Sequence, residues 1–118
     1  MSPFAGLTLL ESRREPERYR ARLQVAPESP FLVGHFPGHP VLPGIAHLAL
    51  ALDGARALTG REVTLSSLRG VRFRRAVRPG DTIDLAVSSS DAAGSFRFEV
   101  QLAGAVASSG AIEVTLGG

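Results

Sequence analysis

Residues 43–58 read Pro43-Gly44-Ile45-Ala46-His47-Leu48-Ala49-Leu50-Ala51-Leu52-Asp53-Gly54-Ala55-Arg56-Ala57-Leu58. Ile45, Leu48, Leu52 and Ala55 recur at helical spacing, with small alanines between them. Pro43 suits a first helical position, and Gly60 can end the helix. The segment is apolar nearly all round, so burial on most sides is expected. The other periodic runs in the chain alternate with period two, which marks half-buried strands. Tyr19, Ala21, Leu23 and Val25 form one such run. Val71, Phe73 and Val77 share a face in another. Ile83, Leu85 and Val87 follow, then Phe96, Phe98, Val100 and Leu102, then Ile112, Val114 and Leu116. Leu7 and Leu9 suggest a weaker first strand. Turns are expected at 78–81 (Arg-Pro-Gly-Asp), 92–95 (Ala-Ala-Gly-Ser) and 108–110 (Ser-Ser-Gly). One long apolar helix and about six amphipathic strands predict an α+β fold. A curved antiparallel sheet wrapped around the helix buries both.

The chain has 118 residues, which suits a single domain over 1–118. It lacks Cys, which excludes disulfides, thiolate metal sites and a Cys nucleophile, and fits a reducing compartment. Lys is absent too, which excludes Schiff-base chemistry and a Walker-type phosphate loop. No apolar run reaches the roughly 18 residues of a membrane span. No signal peptide is read at the N-terminus, and a cytoplasmic location is expected.

All 13 basic side chains are Arg. Residues 11–22 mix five Arg with three Glu, a solvated pattern. Residues 69–78 hold five Arg and no acid. A local patch of this kind fits one acidic partner better than a long polyanion. Nucleic acid is not expected, because most Phe fall on predicted core faces and few aromatics remain to stack on bases.

The stretch before the helix carries the chemistry: Gly34-His35-Phe36-Pro37-Gly38-His39-Pro40-Val41-Leu42-Pro43-Gly44-Ile45. Three Pro and three Gly fix the backbone path, with His35 at its head. The helix N-terminus follows, where free N–H groups favour developing negative charge. A general base, His35, and an oxyanion donor, the Gly44 N–H, could face each other across a narrow slot. The alternative is a rigid turn whose His only makes a hydrogen bond. No metal and no organic cofactor is implied by the three His.

The run His-Phe-Pro-Gly-x-Pro-Val-Leu-Pro-Gly-Ile resembles the signature of the β-hydroxyacyl-ACP dehydratases. Phe73-Arg74-Arg75-Ala76-Val77-Arg78-Pro79-Gly80-Asp81 is similar to that family's aromatic–basic strand and Pro-Gly-Asp turn. The resemblance runs from about Tyr19 to Leu116. It implies the hot-dog fold and a homodimer with sites at the interface. It implies His35 as the base and Gly44 as the thioester oxyanion donor, with the Val41 carbonyl orienting the His. Phe36, Val41, Pro43 and Ala49 would line the substrate site. Arg72, Arg74, Arg75 and Arg78 would meet an acyl carrier protein and its pantetheine phosphate.

The chain departs from the family at one place. The family's helical carboxylate lies 14 residues after the His, on the other subunit's helix, and Ala49 stands there. Asp53, four residues on, shares that helix face and could replace it, directly or through a water. Otherwise Asp53 pairs with Arg56 at i,i+3 or sits at a dimer seam. His47 points away from Ala49 and is expected in a core or interface hydrogen bond. His39 is expected to be exposed. The resemblance therefore implies a carrier-linked 3-hydroxyacyl-thioester dehydratase of fatty-acid or polyketide-type synthesis. A catalytically impaired carrier-binding or partner subunit and a hot-dog thioesterase remain as alternatives.

Overall fold

The computed structural model describes residues 4–26 and 41–117. A 3₁₀ turn at Phe4–Gly6 precedes strands β1 (Thr8–Arg14) and β2 (Arg18–Gln24). Helix α1 (Gly44–Thr59) follows, then β3 (Val63–Phe73), β4 (Thr82–Ser89), β5 (Ser95–Leu102) and β6 (Ala105–Leu116). The six strands form one sheet in the order β1-β2-β4-β5-β6-β3, with every neighbouring pair antiparallel. One helix against one antiparallel sheet is the α+β arrangement that the periodicity predicts and the hot-dog fold that the resemblance implies. Among the described residues no helix is long and apolar enough to cross a membrane.

Alternation sets the core. Tyr19, Ala21 and Leu23 stand opposite Val87, Leu85 and Ile83. Val87 and Leu85 in turn oppose Phe98 and Val100. All are buried, and they form one inner face of the sheet. Helix α1 lays Ala46, Leu50, Ala51, Gly54, Ala55 and Leu58 against it. Its small residues permit close approach. A Cβ on Gly54 would come within 2.4 Å of Val87 Cγ2. The opposite face of the sheet carries Arg18, Arg20, Arg22, Asp84, Arg97 and other polar side chains toward water.

Five expectations need correction. Pro43 is the N-cap residue with extended backbone, so the helix begins one residue later, at Gly44. Gly60 does end it, in the left-handed conformation at φ 69°, and its N–H donates to the Arg56 carbonyl. Within a single chain the helix is not buried on most sides. Ile45 is 67% exposed, and Leu48, Ala49 and Leu52 are only half-buried.

Residues 108–110 do not turn but run through the middle of β6. The β5–β6 turn is Ala103-Gly104, both at positive φ, between the paired Leu102 and Ala105. Two residues of that kind make the primed turn that matches strand twist. Gly110 serves the sheet instead, because a Cβ there would lie 2.8 Å from Val71 Cγ2 and 3.0 Å from Phe98 Cε1.

The run Val71, Phe73 and Val77 does not hold one face. Strand β3 starts back at Val63 and ends at Phe73, and register shifts interrupt its pairing with β6. Beyond it the chain leaves the ladder, with the Arg74 and Arg75 N–H groups both donating to the Ala107 carbonyl. Val77 is fully buried, but Phe73 is half exposed. The first strand also extends further than Leu7 and Leu9 suggested, and all seven residues of β1 are exposed. Both mismatches fall on the edge strands, where a side chain can be wet on either face and alternation loses its meaning.

Candidate active site

The turn into α1 is held by backbone contacts. The Leu42 N–H donates to the Val77 carbonyl at 2.7 Å, and the Ala46 N–H to the Pro43 carbonyl at 2.9 Å. Gly44 is the first helical residue, so no earlier turn of helix pairs its N–H. The Phe73 ring packs over Gly44, with Cζ 3.0 Å from where a Cβ would stand.

A cleft of about 330 Å³ opens here, lined by Val41, Leu42, Gly44, His47, Phe73, Arg74, Arg75 and Ala76. It combines a helix N-terminus, a half-exposed aromatic ring and two exposed arginines. Such a slot suits a group that gains negative charge, with an anionic moiety at the rim. Two larger grooves, of about 750 and 440 Å³, lie on the solvent face of the sheet, away from this helix end. Some of their charged side chains pair with each other, Arg22 with Glu11 and Asp84, and Arg69 with Glu113.

Among the described residues, His47 is the one titratable group at the cleft that is buried, at 2% exposure. Its Nδ1 lies 2.7 Å from Ser108 Oγ, itself fully buried on β6. Its ring meets Phe73 edge-on, with centroids 5.4 Å apart. Burial pushes the imidazole below its ordinary pKa of 6.5, opposed in part by a hydrogen bond to the Leu42 backbone. The core hydrogen bond expected of His47 is present.

The candidate residues are spread over several places. Val41 and Gly44 line the cleft together with Arg74 and Arg75. Pro43 caps the helix beside it, and Ala49 packs half-buried against the core one turn further on. Arg72 sits exposed on β3 opposite Ser109, and Arg78 is exposed in the turn that Asp81 closes by accepting from its N–H at 2.8 Å. His35, Phe36 and His39 lie outside the described residues.

Asp53 is set apart from the cleft. Its Oδ1 accepts from Arg56 Nη1 at 2.6 Å, and its Oδ2 accepts from the Phe4 N–H at 2.6 Å. Nine residues separate it from Gly44, roughly 13.5 Å along the helix axis and about 180° around it. The i,i+3 pair with Arg56 is present. Phe73, Leu42 and Ser108 are site residues that strand periodicity did not single out. Phe73 had been assigned to the core face, and only its half exposure at the strand end corrects that.

A segment of 70 residues is 51% identical to the 3-hydroxyacyl-[acyl-carrier-protein] dehydratase FabZ of Thermomicrobium roseum, covering 53% of this chain and 47% of that one. The FabZ of Thermus thermophilus is 40% identical over 79 residues, covering 60% and 56%. The matched segments thus span about half the length of these curated relatives. Among solved structures, the dehydratase heterocomplex ApeI:P from Xenorhabdus doucetiae superposes with a TM-score of 0.84 at 25% identity, covering 97% of this chain and 98% of that one. A Streptococcus mutans protein bound to acetyl CoA shares the fold, with a TM-score of 0.74 at 12% identity over 100% of this chain and 94% of that one. Residues 11–111, which hold most of the sheet and the whole helix, match the ApeI-like family described as ApeI dehydratase, and the chain belongs to that family.

Proposed function

We propose that the protein dehydrates a 3-hydroxyacyl thioester presented on an acyl carrier protein. The observation that carries this reading is the cleft at Gly44, which joins a helix N-terminus to the arginines at 74 and 75 in a chain of a dehydratase family. His35 takes the proton next to the thioester carbonyl. The electron pair moves onto the carbonyl oxygen, which the Gly44 N–H receives. Collapse of that charge forms the 2-enoyl double bond, and the 3-hydroxyl leaves as water after gaining a proton. Val41 and Pro43 shape the slot, and Phe36 belongs to its substrate wall. Arg72, Arg74, Arg75 and Arg78 present a basic rim to the phosphate of the pantetheine arm and the acidic carrier.

The chain pairs with a second subunit through β3. That strand is the free edge of the sheet, and it exposes Leu65, Leu68 and Phe73. An edge of 11 residues with apolar side chains invites pairing with another strand, and it is longer than the other edge, β1, which has seven. A second copy is the first occupant proposed.

The acid that protonates the leaving hydroxyl is the open element. Ala49 cannot transfer a proton, and Asp53 would first have to be released from Arg56 and the Phe4 N–H. A second reading follows: the chain is one subunit of a mixed assembly and relies on another chain for its acid. The similarity to a dehydratase heterocomplex favours it.

The test is an assay of purified protein with 3-hydroxyacyl-pantetheine thioesters, following enoyl product and free thiol separately. Enoyl product that vanishes in His35→Ala is the expected result. Ala49→Glu is expected to raise the rate by about 10²-fold if the acid is absent from this chain, and Asp53→Asn to leave it unchanged. Thiol release without enoyl product would replace this reading with hydrolysis.

A further inference from the structure

His47 has no part in the chemistry proposed above, yet it touches each element that frames the cleft. Its Nδ1 bonds Ser108 Oγ on β6 at 2.7 Å. Its ring stands edge-on to Phe73 at the end of β3. It lines the cleft beside Leu42, the residue before the helix cap. Leu42 is fixed on its other side by the Val77 carbonyl. Strand, edge aromatic and helix entry therefore meet at one side chain.

Stability alone does not call for a polar pair here. An apolar pair of similar shape would fill the space without the cost of desolvating an imidazole and a hydroxyl, and such replacements are often close to neutral. What a hydrogen-bonded pair supplies is direction. It fixes the imidazole rotamer and ties the start of α1 to β6, and so holds the backbone that presents the Gly44 N–H.

The geometry points to His47 as a positioning residue, which, held by Ser108, sets the placement of the Leu42–Gly44 backbone and so the aim of the Gly44 N–H into the cleft. This rests on the dehydratase reading only for its effect on turnover. The placement of the backbone can be read without any activity. The pair also bears on Phe73, because the ring that leans on His47 is the one that covers Gly44.

The experiment uses the double variant His47→Leu/Ser108→Ala, which removes both members of the hydrogen-bonded side-chain pair together. Amide hydrogen exchange is measured on the peptide spanning residues 41–50 and on peptides from β4 and β5. Exchange about tenfold faster in 41–50, with β4 and β5 unchanged, is expected. Kinetics with the 3-hydroxyacyl-pantetheine thioester should then show kcat lowered about ten- to hundredfold with KM within about threefold, as misplacement of a catalytic donor does. His47→Gln, which can still reach Ser108, should recover part of kcat. Unchanged exchange in 41–50 would overturn the inference, as would full kcat in the double variant. If the double variant does not fold, Ser108→Ala alone is measured against the same two criteria. A wild-type protein with no dehydration overturns the activity reading, and the exchange result then decides the positioning role by itself.

Discussion

The Phe73 ring stands over Gly44 so closely that a Cβ at Gly44 would lie 3.0 Å from its Cζ and 3.3 Å from its Cε2. Gly44 is therefore bare for two reasons, the ring above it and the N–H at the head of the helix. Ala at this position improves helix propensity, and half-exposed Phe73 can swing aside. Gly44→Ala should change stability by less than about 1 kcal/mol. It should lower turnover at least about tenfold, because the added methyl crowds the slot where the oxyanion donor must act. Urea unfolding and the enoyl assay on one preparation check both halves.

Gly110 behaves differently, because its neighbours cannot move away. A Cβ there meets Val71 Cγ2 at 2.8 Å and the Val71 backbone Cα at 3.0 Å. Gly110→Ala should destabilise the protein by about 1–3 kcal/mol, as overpacking does. Chemical denaturation with an unchanged m-value would establish the loss. A variant as stable as the parent would mean that β3 and β6 lie further apart than the structure gives.

Arg74 and Arg75 line the cleft and are exposed, while Arg72 and Arg78 lie on either side of them in the chain. The double charge reversal Arg74→Glu/Arg75→Glu should raise KM for carrier-linked substrate about tenfold or more. It should change KM for a pantetheine thioester without a carrier far less. The parent's carrier KM should also rise with ionic strength, and the variant's should lose that dependence. Equal effects on both substrates would mean that the arginines shape the slot rather than dock a protein.

Acid should weaken the fold through His47. Burial holds its pKa below the ordinary 6.5, so in the folded protein the imidazole stays neutral where the unfolded chain would bind a proton. The unfolded state then carries more protons below pH 6.5, and stability falls as pH drops through that value. Above it this contribution is constant. Denaturation midpoints measured across that range should decline on the acid side, and His47→Gln should flatten the decline.

Much of this molecule is legible in its sequence because local physics writes it there. Period-two alternation in β2, β4 and β5 places Tyr19, Leu23, Ile83, Val87, Phe98 and Val100 inside, and all are buried. Pro43 and Gly60 bracket the helix because one suits its entry and the other adopts the left-handed backbone that closes it. The Gly44 N-terminus and the arginines at 74 and 75 follow from the same local rules. Alternation fails at the edges, where β1 and β3 are wet on both sides and a side chain's facing carries no burial signal. The glycine of 108–110 misleads for a related reason, since a close neighbour asks for the same residue that a turn does.

Long-range contacts decided the rest. That Asp53 is tied to Arg56 and the Phe4 backbone, that His47 bonds Ser108 some 61 residues away, and that Phe73 covers Gly44 depend on how helix and sheet meet. Residues so distant in the chain are brought together by burial of a shared core, which no spacing along one segment encodes. The sequence by itself determined which elements form and where the chain enters the helix. Only the tertiary structure decided which side chains frame that entry, because packing and not periodicity chooses neighbours across the sheet.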